Sequence, residues 1–127
     1  MTGRILGAAI EVHKTLGPGL LESTYRSCLL YELTSQRMRF AVERPIPVVY
    51  KGAALDASYR VDLIVEGLVV VEVKAVVLVM PVHEAQVLTY LKLTKCQLGL
   101  LINFNVAKLM DGVTRLMNPE CRRKSSR

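Results

Sequence analysis

Three ionisable residues interrupt the most apolar part of the chain. Asp62 is flanked by apolar residues, and Glu72 and Lys74 interrupt a run of valines. Burying such charges is costly unless they are paired or bound to a metal ion. Two carboxylates offer the hard oxygen ligands that Mg²⁺ prefers, and an ammonium beside them could stabilise developing negative charge. These residue types therefore point to a divalent-metal site.

The segments around these residues predict that the two acids lie close together. Ser58–Glu66 and Leu68–Val77 have the composition of strands, and Gly67 between them predicts a tight hairpin. In an antiparallel hairpin, Asp62 lies roughly opposite Glu72. The second segment is almost wholly valine and leucine, which is typical of a central strand covered on both faces.

The Glu-x-Lys spacing has two explanations. Side chains alternate along a strand, so Glu72 and Lys74 point to the same face and could serve one site. The same spacing also suits an ordinary ion pair on a half-exposed strand, which contributes little. Periodicity alone leaves both explanations open.

A helix with one polar face is predicted after these strands. Pro81 suits the first turn of a helix, which we expect over residues 83–94. Its buried stripe is expected to be Ala85, Leu88 and Leu91. Its polar face carries three residues at spacings of three and four, namely His83, Gln86 and Tyr90. By pattern alone such a face is usually just solvated.

The remaining elements predict an α/β fold in a single domain. We expect the order helix, helix, strand, strand, strand, helix, strand, and a short edge strand, without an internal repeat or linker. The first strand contains Pro45 and Pro47, which restrict it to a sheet edge or an irregular path. The elements not yet named are predicted at Thr2–Leu16, Leu20–Met38, Phe40–Tyr50, Gln97–Phe104 and Gly112–Met117.

Composition allows a nucleic-acid partner without identifying one. The 127 residues suffice for one core, and 51% are hydrophobic, which argues against a disordered chain. The net charge is +6, but four of the 17 cationic residues lie in the last six positions. We expect a domain over residues 1–118 and a basic, disordered tail over 119–127. The tail is either a phosphate-contacting arm or a solubilising segment.

Cysteine usage and hydropathy favour a cytoplasmic protein. The three cysteines are odd in number and widely spaced, which fits a reducing compartment and argues against a disulfide scaffold or zinc knuckle. Glu11 interrupts the N-terminal apolar run before a secretory signal could form. The most apolar stretch, Leu68–Met80, is too short to cross a membrane.

The segment Gly19–Tyr25 has the pattern G-x-x-E-x-x-Y, and the chain resembles the GxxExxY proteins that share it. These are small prokaryotic proteins placed in the PD-(D/E)XK nuclease superfamily. The resemblance runs from about Ile5 to Met117 in the family's order. It continues through four further segments, at 59–63, 71–75, 81–90 and 100–104.

The resemblance implies a fold and a set of site residues. The implied fold is a PD-(D/E)XK nuclease-like core with a mixed central β-sheet flanked by helices. The implied activity is hydrolysis of DNA or RNA phosphodiester bonds with Mg²⁺ or Mn²⁺. The implied metal ligands are Asp62, Glu72 and Glu22, with the Val73 carbonyl as a further candidate. The other implied roles are catalytic for Lys74 and Gln86 and substrate-binding for Tyr90.

Some features leave other functions open. The chain could be a non-catalytic module that keeps the nuclease fold and binds nucleic acid or a protein partner. Residues 75–80 are apolar, whereas members of the resembled family usually carry charges there. This segment is expected to be either a homodimer surface or the continuation of a buried strand.

Overall fold

A computed structural model describes residues 1–120 of the chain. It contains three α-helices, five strands and a short 3-10 helix. The helices are α1 (Thr2–Leu16), α2 (Glu22–Ser35) and α3 (Pro81–Thr94), and the 3-10 helix is Leu109–Gly112. The strands are β1 (Phe40–Tyr50), β2 (Ala53–Val65), β3 (Val69–Lys74), β4 (Leu98–Asn103) and β5 (Val113–Met117). The sequence of elements confirms the predicted order, whereas residues 121–127, most of the expected tail, lie outside the described part.

The five strands form one mixed sheet in the order β1-β2-β3-β4-β5. Neighbouring strands are antiparallel except β3 and β4, which are parallel because α3 connects them as a crossover. β3 and β4 are buried along nearly their whole length, as expected for central strands. β1 is an edge strand, in agreement with its two prolines. The predicted fold class is therefore confirmed.

Helices cover the sheet on both faces and divide the core into two clusters. α1 and α2 pack over the face that carries Val71, Val73 and Ile102. α3 packs over the opposite face, which carries Val70 and Leu101. The alternation of side chains along β3 and β4 produces this division, and it places position 72 on the α3 side.

The hydroxyl of Tyr25 fastens the connection between α1 and α2. It donates a hydrogen bond to the Gly17 carbonyl at 2.6 Å and accepts one from the Leu20 N–H at 3.1 Å. The ring is fully buried and stacks on Phe104 with centroids 4.7 Å apart. These contacts fix the turn that precedes α2, so they determine where Glu22 enters the structure.

Strand β3 ends at Lys74, three residues before the predicted end of the strand at Val77. The Val76 N–H donates to Asn103 Oδ1 at 3.0 Å, and Asn103 Nδ2 donates to the Val76 carbonyl at 2.9 Å. The Asn103 side chain thus satisfies backbone groups that a longer β3 would pair with a neighbouring strand. The prediction of a strand to Val77 is wrong, and so is the buried-strand explanation of residues 75–80, since Val77 is 95% exposed.

The buried stripe of α3 also differs from the prediction. Val87, Tyr90 and Leu91 are buried, whereas Ala85 is exposed. A Cβ atom on Gly99 would lie only 2.5 Å from Val87 Cγ1, so the missing side chain lets α3 approach β4 at this point. This close approach fixes the rotation of α3 about its axis and brings Tyr90 to the sheet.

Candidate functional site

A slip in the side-chain alternation of β2 sets the position of Asp62. Val61 and Ile64 pack in the same cluster beneath α3, although strict alternation would place residues three apart on opposite faces. On the neighbouring strand β1, Glu43 has a φ of 47°. Glu43 and Asp62 lie opposite each other, but they are not among the residue pairs of the ladder between β1 and β2. Such interruptions re-aim side chains and are common beside active sites. Asp62 is therefore released from regular strand pairing.

The side chains of Asp62 and Glu72 each accept a hydrogen bond from a backbone N–H of the other residue's strand. The Asp62 N–H donates to Glu72 Oε1 at 3.0 Å, and the Val73 N–H donates to Asp62 Oδ2 at 3.0 Å. The regular pairing of β2 with β3 covers residues 63–65 of β2, next to these contacts. Glu72 is 6% exposed. The structure thus brings the two predicted acids together where the paired part of the two strands ends.

Arg26, which the sequence analysis did not single out, contacts Asp62 from α2. Its Nη1 lies 2.7 Å from Asp62 Oδ1, with the two side chains 22% and 11% exposed. A charge-assisted hydrogen bond of this kind is stronger than a neutral one. The available signal was the spacing of Arg26 four residues after Glu22, which puts both on one face of α2.

The surroundings raise the pKa of Glu72 from its ordinary value of 4.5 to about 7. Burial is the largest cause, because it disfavours the charged form. The hydrogen bond from the Asp62 N–H lowers the pKa, the charge of Asp62 raises it, Lys74 lowers it and Glu22 raises it. Near neutral pH, Glu72 is therefore present in both its protonated and its charged form. A cation bound nearby would favour the charged form.

Glu22 and Lys74 flank the two acids without a direct ion pair. Glu22 is the first residue of α2 and Lys74 the last residue of β3, and both are half-buried. Within residues 1–120 the ion pairs are Arg26–Asp62 and a longer one between Arg60 and Glu43. The alternative explanation of Glu-x-Lys as a Glu72–Lys74 ion pair is therefore wrong, although the charge of Lys74 lowers the pKa of Glu72.

Tyr90 lies beside the site, and Gln86 lies in solvent. Burial raises the pKa of Tyr90, with further contributions from the charges of Glu72 and Asp62 and from Tyr59. Its ring meets Tyr59 edge-on with centroids 6.2 Å apart. Gln86 is exposed one turn earlier on α3, so its predicted role stays a prediction. The pattern-based interpretation of this face of α3 as merely solvated is wrong at Tyr90, because that side chain is buried.

The third polar residue of that face has a structural contact. His83 Nδ1 accepts a hydrogen bond from the Met80 N–H at 2.9 Å. The bond closes the first turn of α3, where a backbone donor would otherwise lack a partner in the helix. His83 therefore helps to begin the helix that carries Tyr90.

The donor chemistry of the site fits Mg²⁺. This ion is commonly held by one or two carboxylates and keeps several of its waters. Asp62 and Glu72 supply two such groups, and Arg26 now neutralises one of them. Among residues 1–120 no three His, Cys, Asp or Glu side chains form a cluster able to hold a metal ion. Glu22 as a third ligand stays a prediction.

Comparison with known proteins identifies the wider family. A family model of the PD-(D/E)XK nuclease superfamily matches residues 1–116. No curated protein and no solved structure matches the chain. Among the helices described, none is long and apolar enough to cross a membrane.

Proposed function

The chain belongs to the PD-(D/E)XK nuclease superfamily, and on this basis we propose that it is a Mg²⁺-dependent nuclease that hydrolyses phosphodiester bonds of DNA or RNA. The contact between the Asp62 and Glu72 regions carries the proposal. Two acids from neighbouring strands share one small, partly buried volume, with Glu22 and Lys74 within electrostatic reach of Glu72. A buried acid with a strongly raised pKa beside a second acid is typical of functional sites.

Each predicted residue has a role that follows from its chemistry. Asp62 and Glu72 would hold Mg²⁺ or Mn²⁺. Glu22 would either bind a water molecule of the ion or act as a further metal ligand. When bound, the ion supplies an acidified water and charge stabilisation at the scissile phosphate. Lys74 is placed on the same strand face as Glu72, where its ammonium would stabilise charge that develops on the phosphate oxygens.

The α3 residues would act on the substrate. Gln86 offers an amide that could bind a phosphate oxygen or a water, and its exposure leaves it accessible. Tyr90 would contact the substrate through its hydroxyl, while its ring is packed in the core cluster beneath α3. Tyr90 therefore supports the site both by its packing and by its polar end.

A cleavage assay on the full chain tests the proposal. We expect Mg²⁺- or Mn²⁺-dependent cleavage of at least one of single- and double-stranded DNA and RNA, which EDTA abolishes. Glu72→Gln keeps the shape and the Oε1 acceptor but removes the charge that would hold the ion, and since the ion contributes several kcal/mol to catalysis, the rate should fall by more than about 100-fold. Glu11→Gln, an exposed acid on α1, is the matched control and should cleave normally. Equal cleavage by Glu72→Gln and wild type would reject the assignment.

A second candidate function is a non-catalytic module that binds nucleic acid or a protein partner. The ion pair that already neutralises Asp62 favours it, because the acid is satisfied without a metal. This function predicts negligible Mn²⁺ binding. It also predicts nucleic-acid affinity that survives Glu72→Gln and falls steeply with salt.

Three narrower assignments belong to the same proposal. Membership of the GxxExxY proteins is supported by the motif Gly19–Tyr25, whose tyrosine fastens the turn before α2. A reducing cytoplasm is supported by Cys28 and Cys96, which are both free thiols. A homodimer is supported by the exposed apolar side chains of Val77 and Leu78.

A further inference from the structure

Arg26 places a positive charge directly against Asp62, one of the two proposed metal ligands. Its guanidinium contacts Asp62 Oδ1, while Oδ2 of the same carboxylate accepts the Val73 N–H. Both oxygens of Asp62 are thus engaged by donors of this chain. A divalent ion that uses Asp62 as a ligand would be repelled by the guanidinium cation at Oδ1, whereas the neutral Val73 N–H at Oδ2 is fixed by β3.

The side chain of Arg26 is the contact that can move. It extends from the second turn of α2 and is 22% exposed, so solvent and ligands reach it. Its charge persists at every pH of interest, because a guanidinium does not lose its proton in proteins. Deprotonation therefore cannot free Asp62, and release of the carboxylate requires that the side chain swing away.

We propose that Arg26 is an exchangeable counter-cation that competes with the divalent ion for Asp62 and is drawn off by a substrate phosphate. This inference rests on the proposed function, since it assigns Arg26 to the same site. A guanidinium binds phosphate oxygens in a two-pronged geometry, so a nucleic-acid backbone at the site offers it an alternative partner. Arg26 is then a positioning residue that makes ion binding and phosphate binding support each other.

The exchange has a definite thermodynamic consequence. In the free protein the Arg26 guanidinium already compensates the charge of Asp62 and repels a second cation there, so the affinity of the site for the divalent ion is lowered. Once a phosphate holds the guanidinium, that contact is already broken and the ion binds more tightly. Replacing Arg26 by a neutral residue removes the competitor, and the affinity of the free protein for the ion should rise.

Calorimetric titration with Mn²⁺ tests the inference without any cleavage step. We expect Arg26→Gln to bind Mn²⁺ about tenfold more tightly than wild type, since a charged hydrogen bond no longer has to be broken. Arg26→Met serves as a second neutral variant if Arg26→Gln does not fold. Arg60→Gln is the matched control, because Arg60 is exposed and lies 3.7 Å from Glu43, and its Mn²⁺ affinity should stay unchanged.

A second titration measures the coupling to phosphate. Thymidine 3′,5′-bisphosphate has phosphate groups but no phosphodiester to cut. It should tighten Mn²⁺ binding more in wild type than in Arg26→Gln, because the variant has no contact to release. Equal tightening in both proteins would overturn the coupling.

The outcomes separate this inference from the proposed function. If Mn²⁺ binds wild type and Arg26→Gln equally, or the variant more weakly, the competition is refuted while the metal site stands. If neither wild type nor a neutral variant binds Mn²⁺ at millimolar concentration, both the competition and the metal-dependent function are refuted.

Discussion

Glu72→Gln should stabilise the metal-free fold at alkaline pH, although it removes a proposed metal ligand. The pKa of Glu72 lies at about 7 in the fold, against an ordinary value of 4.5. Each pKa unit corresponds to about 1.4 kcal/mol, so full ionisation of Glu72 lowers the free energy of unfolding by about 3 kcal/mol. Glutamine keeps an oxygen that can accept the Asp62 N–H but carries no charge.

The direction of the pH dependence follows from proton binding. Between pH 4.5 and about 7 the folded state keeps the Glu72 proton that the unfolded state has lost. The contribution of Glu72 to the free energy of unfolding is therefore fully present below pH 4.5, and it is lost as the pH rises through about 7. The glutamine variant has no such group, and the wild type should lose stability relative to it over this range.

Urea unfolding of both proteins at pH 5, 6, 7 and 8, in EDTA, measures the difference. The advantage of Glu72→Gln should grow with pH towards about 3 kcal/mol at pH 8, while contributions from other groups cancel. A difference that does not change between pH 5 and pH 8 would refute the raised pKa. In a parallel series without EDTA, added Mn²⁺ should stabilise wild type and not the variant, because only wild type keeps both proposed ligands.

Two further predictions concern the scaffold and the apolar surface. Tyr25→Phe removes the hydrogen bonds to Gly17 and Leu20, so it should lower the free energy of unfolding in urea by about 1–3 kcal/mol; an unchanged midpoint would show that the hydroxyl does not fasten the turn. Val77→Lys alters a side chain that is 95% exposed, so it should leave the fold intact and, in sedimentation, dissociate the proposed homodimer to a monomer. Equal masses for the two proteins would exclude that surface as the interface.

The fold could be predicted because its signals are local. Apolar periodicity marked each helix, and Gly67 between two apolar runs fixed the hairpin of β2 and β3. The hairpin in turn set Asp62 opposite Glu72, so the proximity of the two acids followed from the sequence. The parallel pairing of β3 with β4 is the ordinary result of a helical crossover.

The features that the sequence did not reveal depend on distant contacts. Arg26 meets Asp62 across 36 positions of the chain, and the contact requires α2 to pack beside β2. The rotation of α3 is set by Gly99, and the end of β3 by Asn103. None of these leaves a mark in the periodicity of its own segment, because a periodic pattern reports a helix or strand and not what it packs against.

The hydrogen bonds of Tyr25 affect what can be concluded from the presence of the Gly19–Tyr25 motif in other sequences. The residue that closes the motif Gly19–Tyr25 binds the main chain of a turn, so its retention reports how two helices are joined. A profile anchored on this motif will gather relatives that share a scaffold, including any that have lost their chemistry. Surveys for active members should therefore be filtered on the joint presence of acids at the positions of Asp62 and Glu72.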